Sequence, residues 1–211
     1  MGSTAQACID KLIEKGVGGI VLITLGKTLG HEDNAVKKYQ ITKKYDRKHE
    51  VPRDIKGIIF DLDGTLVDSS MLKSLRDSYR WKEAKQNIHQ IREFDGISEV
   101  LSNLKNKFRL GLVTSSPETY ASRIVKMMKW NFNACVYYHD TQNHKPRPEP
   151  RLECAKKMGL KPDECRAIGD EIIALQAARK ANMKDAAAIW GSSEKNNLID
   201  FKPLFIYEYP K

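Results

Sequence analysis

The chain has 211 residues, with 36 Lys and Arg against 27 Asp and Glu for a formal net charge of +9, and is 41% hydrophobic and 30% charged. These values suit one large domain, or one domain plus an appendage, with the ordinary composition of a soluble globular protein. The longest apolar runs, such as Ile20 to Leu25, are too short to span a bilayer, no secretory-type N-terminus is present, and the four cysteines include no CxxC pair, so a cytoplasmic protein with ordinary reduced thiols is expected.

Residues 1–50 read as an N-terminal extension. Gly18 to Thr28 is rich in β-branched residues and reads as a strand. Its Gly26-Lys27-Thr28 lacks the glycine five positions earlier that a phosphate-binding loop needs, since Val21 stands there. Val36 to Tyr45 reads as a second strand, which completes a basic β-hairpin through Lys37, Lys38, Lys43 and Lys44. Lysines that protect a sheet edge are the simpler account of that charge, and nucleic-acid contact is the alternative.

The main domain is expected over 51–211. Ile58 to Phe60 is a short apolar strand that ends in Asp61 and Asp63. Ser70 to Arg92 is polar and helix-compatible, and Ile97 to Asn106 has the spacing of an amphipathic helix. Arg109 to Thr114 reads as a buried strand that runs into Ser115, Ser116 and Pro117, with the proline suited to the first position of a helix ending near Met128. A third strand is expected at Ala134 to Tyr138, then a proline-rich loop holding Lys145 and a helix from Arg151 to Met158. Arg166 to Gly169 reads as a strand ending in Asp170 and Glu171, Ile172 to Ala181 as a helix, and Ala186 to Trp190 and Leu204 to Tyr207 as strands. This alternation predicts an α/β fold with a mainly parallel sheet.

The polar groups gather at or just after strand ends. Asp61 and Asp63 cannot comfortably both stay charged without a cation or a shared proton. Thr114 and Ser115 add hydroxyls, Lys145 adds a positive charge, and Asp170 with Glu171 adds further carboxylates. A carboxylate nucleophile, a second acid, hydroxyl donors, a cation and oxygen ligands for Mg²⁺ together suit phosphoryl transfer.

The ordered motifs Asp61-Leu62-Asp63-Gly64-Thr65, Leu112 to Ser116, His144 to Pro150 with Lys145, and Ala167 to Glu171 with Asp170 resemble those of the haloacid dehalogenase superfamily, near its phosphoglycolate-phosphatase-like hydrolases. The resemblance covers roughly Ile55 to Tyr207. It implies a three-layer Rossmann-like core and a phosphomonoester hydrolase acting on a small phosphorylated metabolite. Asp61 would be the nucleophile and Asp63 the general acid and base. Thr114 and Lys145 would bind the phosphoryl group, with a further contact from Ser115. Mg²⁺ would be held by Asp61, the backbone carbonyl of Asp63, and Asp170.

Two departures accompany the resemblance. Ala174 stands where many relatives carry an acid four residues after Asp170, which makes Glu171 the candidate substitute. The usual helical cap between the first two motifs is reduced to a segment at about 70–92, so a minimal cap is expected. The short cap and basic extension also admit a macromolecular substrate, such as a phosphorylated nucleic-acid end or phosphoprotein, or a binding module of weak activity.

Overall fold

The computed structural model describes residues 54–210, so the hairpin expected within residues 1–50 lies outside the described residues. Strands β1 (Gly57–Phe60), β4 (Arg109–Val113), β5 (Ala134–Val136), β6 (Cys165–Gly169), β7 (Lys184–Ala188) and β8 (Phe205–Tyr207) form a six-stranded sheet in the order β5-β4-β1-β6-β7-β8. Every neighbouring pair in it is parallel. From β1 in the middle of the sheet the described residues build outward to β5 and return to build the other side from β6. The carboxyl end of β1 therefore lies at the switch between the two directions, where open α/β sheets form their ligand crevices.

Side-chain alternation explains how the sheet is covered. Ile58 and Phe60 enter one buried cluster with Leu110, Leu112 and Ile168, while Ile59 enters a second with Val113 and Ala167. Both faces are thus apolar, and helices cover them, giving the α/β Rossmann-like architecture. Helices α3 (Ile97–Leu104) and α4 (Glu118–Met127) contribute Ile97, Leu101, Tyr120 and Ile124 to the first cluster. Helices α5 (Glu149–Lys157) and α6 (Ile172–Lys180) contribute Cys154, Ala155 and Ala178 to the second.

Several boundaries differ from the sequence reading. Pro117 is the cap residue before α4, in extended geometry, and not its first helical residue. Helix α5 begins at Glu149, two residues before Arg151, because Pro150 fits the first turn of a helix, where its missing N–H is not needed. Strand β7 starts at Lys184 rather than Ala186: Asp185, which looks like a loop residue, is buried and paired with Arg179. Helix α7 (Lys195–Asp200) was not foreseen, since its six residues hold only two large apolar groups. Strand β8 is fastened by Arg166, which donates to the Tyr207 hydroxyl at 2.6 Å and lies 3.8 Å over the Phe205 ring.

The segment between the first two motifs is a small flap, the reduced helical cap expected from its length, broken into short helices. It runs from β2 (Val67–Asp68) through α1 (Lys73–Asp77) and α2 (Trp81–Gln86) to β3 (Arg92–Glu93), which pairs antiparallel with β2. Tyr79 takes a left-handed φ of 56° and separates the two short helices. Leu72, Ala84 and Ile91 bury themselves in the main core, and Trp81 packs on Tyr120 with ring centroids 5.5 Å apart.

Among the described residues no helix is long and apolar enough to cross a membrane. Cys135, Cys154 and Cys165 are free, and burial pushes the Cys154 thiol up to about 12 and the Cys165 thiol up to about 11, which makes both poor nucleophiles at neutral pH.

Candidate active site

Asp61 is the first residue beyond β1, and its N–H still bonds to the Ile168 carbonyl at 3.0 Å, so the sheet fixes its backbone. The side chain is only 6% exposed. One carboxylate oxygen accepts the Leu62 N–H at 2.8 Å and the other accepts Lys145 Nζ at 2.5 Å. Lys145 is itself 3% exposed, so the pair is desolvated and neither charge is cheaply removed alone. Behind the strand, fully buried Arg151 donates Nη1 to the Ile59 carbonyl at 3.2 Å, while its Nε and Nη2 have no acceptor among the described residues. Burial lowers the Arg151 pKa and the negative charge of Asp61 opposes that shift.

Asp63 is held quite differently. Ser69 Oγ donates to its Oδ1 at 2.6 Å and Ser116 Oγ donates to its Oδ2 at 2.8 Å. The Tyr120 hydroxyl adds a longer contact of 3.3 Å, and Arg76 Nη1 from the flap lies 3.4 Å from Oδ1. Burial, then the charge of Asp63, raises the Tyr120 phenol pKa, so that group stays a donor. The two aspartates of the first motif are thus separated in environment: one clamped by a lysine, the other by hydroxyls and a guanidinium.

Asp170 closes the far side of the site. Thr65 Oγ1 donates to its Oδ1 at 2.9 Å. Its other oxygen rests against Gly64, where a Cβ would lie only 2.1 Å away, and Gly64 also has a left-handed φ of 75°. Only glycine meets both demands. The turn is tied down by the Gly64 N–H to the Val67 carbonyl at 2.9 Å and by Trp190 Nε1 to the Thr65 carbonyl at 2.9 Å. Burial foremost, then the charges of Asp61 and Glu171, pushes the Asp170 carboxyl up to about 7.

These observations bear on whether a hard divalent cation fits. Asp61 and Asp170 are buried carboxylates that repel each other, and none of the backbone hydrogen bonds around the turn uses the Asp63 carbonyl. That oxygen set suits Mg²⁺, completed by water and substrate oxygens. Among the described residues there is no group of three or more His, Cys, Asp or Glu side chains able to hold a metal. A set of Asp61, Asp170 and the Asp63 carbonyl needs only two such side chains. Ala174 is fully buried against β6, and a Cβ at Gly169 would lie 2.6 Å from its own, so helix and strand touch where a longer acid would otherwise start. Glu171 is exposed at the cap of α6, and its pKa is raised by desolvation and then by Asp61.

Thr114 sits at the end of β4, beside β1, and its hydroxyl accepts the Ser116 N–H at 3.0 Å. Ser115 is exposed, whereas Ser116 is the member of the hydroxyl run that reaches Asp63. Sequence reasoning missed Thr65, Ser69, Ser116, Tyr120, Arg76 and Arg151. Thr65 and Ser116 belong to motifs already singled out, and Ser69 follows the first motif by four residues, so proximity was their signal. Nothing in a single sequence marks Arg76, Tyr120 or Arg151.

Residues 70–188 match the family described as haloacid dehalogenase-like hydrolase. The chain belongs to that family. A phosphoglycolate phosphatase from Xylella fastidiosa is 33% identical over 121 residues, covering 56% of this chain and 53% of the relative, so the chain spans about half the length of that protein. A pyrophosphatase PpaX from Oceanobacillus iheyensis is 25% identical over 198 residues, covering 73% of this chain and 92% of the relative. Among solved structures, a hydrolase from Pseudomonas syringae aligns at a TM-score of 0.62 and 26% identity over 74% of this chain and 94% of its own. The haloacid dehalogenase-like protein SP0104 from Streptococcus pneumoniae aligns at 0.64 and 21% identity, over 74% and 95%.

Proposed function

We propose that this protein is a Mg²⁺-dependent phosphatase that acts on small phosphorylated metabolites through a covalent intermediate on Asp61. The observation that carries the reading is the division of labour between the two motif aspartates. Asp61 is buried at a strand end and paired with Lys145 at 2.5 Å, while Asp63 is held apart by Ser69, Ser116 and Arg76. A nucleophile and a proton carrier need such different surroundings.

The steps follow from these residues. Lys145 and the Thr114 hydroxyl bind the phosphoryl oxygens, with Ser115 at the rim. A carboxylate oxygen of Asp61 attacks phosphorus, the bond to the leaving oxygen breaks, and Asp63 protonates that oxygen. Asp63, now a carboxylate, takes a proton from water, whose oxygen attacks phosphorus and releases phosphate and free Asp61. Asp61, Asp170 and the Asp63 carbonyl would hold Mg²⁺, which supplies charge neutralisation for the phosphoryl group. Relatives named for phosphoglycolate and pyrophosphate hydrolysis support small substrates of that kind. The test is phosphate release across a panel of phosphorylated metabolites and 3′-phosphorylated oligonucleotides, with Mg²⁺ or EDTA. Mg²⁺-dependent turnover of small substrates is expected, and turnover of oligonucleotides alone would refute the assignment.

A further inference from the structure

We propose that Arg76 forms a subsite for a second anionic group, a carboxylate or phosphate, carried on the leaving-group side of the substrate. The proposal rests on the phosphatase reading and deepens it. Arg76 belongs to α1 of the flap, and its side chain is 19% exposed, between solvent and the site. Two other flap cations engage neighbours on the surface: Lys73 donates to Asp77 at 2.8 Å, and Arg80 pairs with Glu83. Arg76 instead points inward. Its one ion pair among the described residues is the 3.4 Å contact with Asp63, a carboxylate that Ser69 and Ser116 already hold at 2.6 and 2.8 Å.

Among the described residues, the Arg76 guanidinium donates no hydrogen bond, and its buried Nε has no acceptor. A guanidinium has five donors in a planar fork suited to carboxylate and phosphate, and a buried one left unpaired is costly. Its position also fits. Its Nη1 lies 3.4 Å from Asp63 Oδ1. Asp63 protonates the leaving oxygen in the proposed mechanism, so a group attached to that oxygen comes within reach of Arg76.

The test compares wild type with Arg76→Met and Arg76→Lys on two substrate pairs. These are phosphoglycolate against 2-hydroxyethyl phosphate, and pyrophosphate against methyl phosphate, all with Mg²⁺. The expected result is wild-type preference for the anionic member of at least one pair. Arg76→Met should lower kcat/KM for that member at least about tenfold more than for its neutral counterpart, chiefly through KM, and Arg76→Lys should recover part of the difference. Equal losses on both members would show that Arg76 only positions Asp63 and would overturn the subsite. So would wild-type preference for the neutral member of both pairs, which leaves the phosphatase reading standing. No Mg²⁺-dependent release from any of the four overturns that reading and the subsite together. Melting temperatures of the variants separate loss of the subsite from loss of the fold.

Discussion

At the residue scale, the site depends on how closely Asp170 approaches the turn after Asp61. Gly64 makes that approach possible by having neither a side chain nor a penalty for its φ of 75°. Gly64→Ala would put a methyl group 2.1 Å from an Asp170 oxygen and force one of them to move. The expected outcome is Mg²⁺ binding weakened by at least about tenfold, or ~1.4 kcal/mol, read from Mg²⁺ titration of phosphate release and of the melting temperature. An unchanged half-saturating concentration would count against Asp170 as a ligand. The nearness of Asp61, Asp63, Lys145 and Asp170 was legible in the sequence because the strand pattern located the ends of β1 and β6 and the loop after β5. Arg76 and Tyr120 were not. Their contacts with Asp63 cross 13 and 57 positions of chain, respectively, and depend on how flap and helix pack.

At the element scale, the central strands β1, β4 and β6 were legible because each is a short, mainly apolar run that has to be buried on both faces, whereas the two-residue strands β2 and β3 gave no such signal. Errors fell where a polar residue is buried by pairing, as with Asp185 at the start of β7, or where polarity hides a broken element, as in the flap. The flap is fixed to the core chiefly by Leu72, Ala84, Ile91 and the Trp81–Tyr120 contact, and it carries Arg76. Trp81→Ala removes one of these fastenings. Trp81 is half-buried, so a cost of about 2 kcal/mol is expected, below the roughly 3–5 kcal/mol of a fully buried tryptophan. Urea denaturation would measure it. The loosened flap should raise KM more than it lowers kcat, and an unaltered KM would show that the flap takes no part in substrate binding.

At the scale of the whole molecule, like charges at the switch point should show in the pH dependence of stability. The Asp170 carboxyl rises from an ordinary 3.8 to about 7 in the fold, chiefly through burial and then through Asp61. A raised carboxyl favours the protonated folded state, so its contribution is present below about pH 4 and is lost as pH rises through about 7. In EDTA, the melting temperature should therefore carry a fall over that interval which Asp170→Asn removes, and parallel profiles for the two proteins would contradict it. Mg²⁺ should restore stability at the upper end by binding the ionised carboxylates.

The central claim is that Asp61 is the nucleophile of a Mg²⁺-dependent phosphatase. Its most direct measurement is phosphate release from the best substrate of the panel by wild type and Asp61→Asn, each with Mg²⁺ and with EDTA. The account predicts release by the wild type with Mg²⁺ only, and a loss of at least about 10³-fold in an Asp61→Asn protein that keeps its circular dichroism and cooperative melting. Release that survives Asp61→Asn, or that EDTA does not touch, would contradict it.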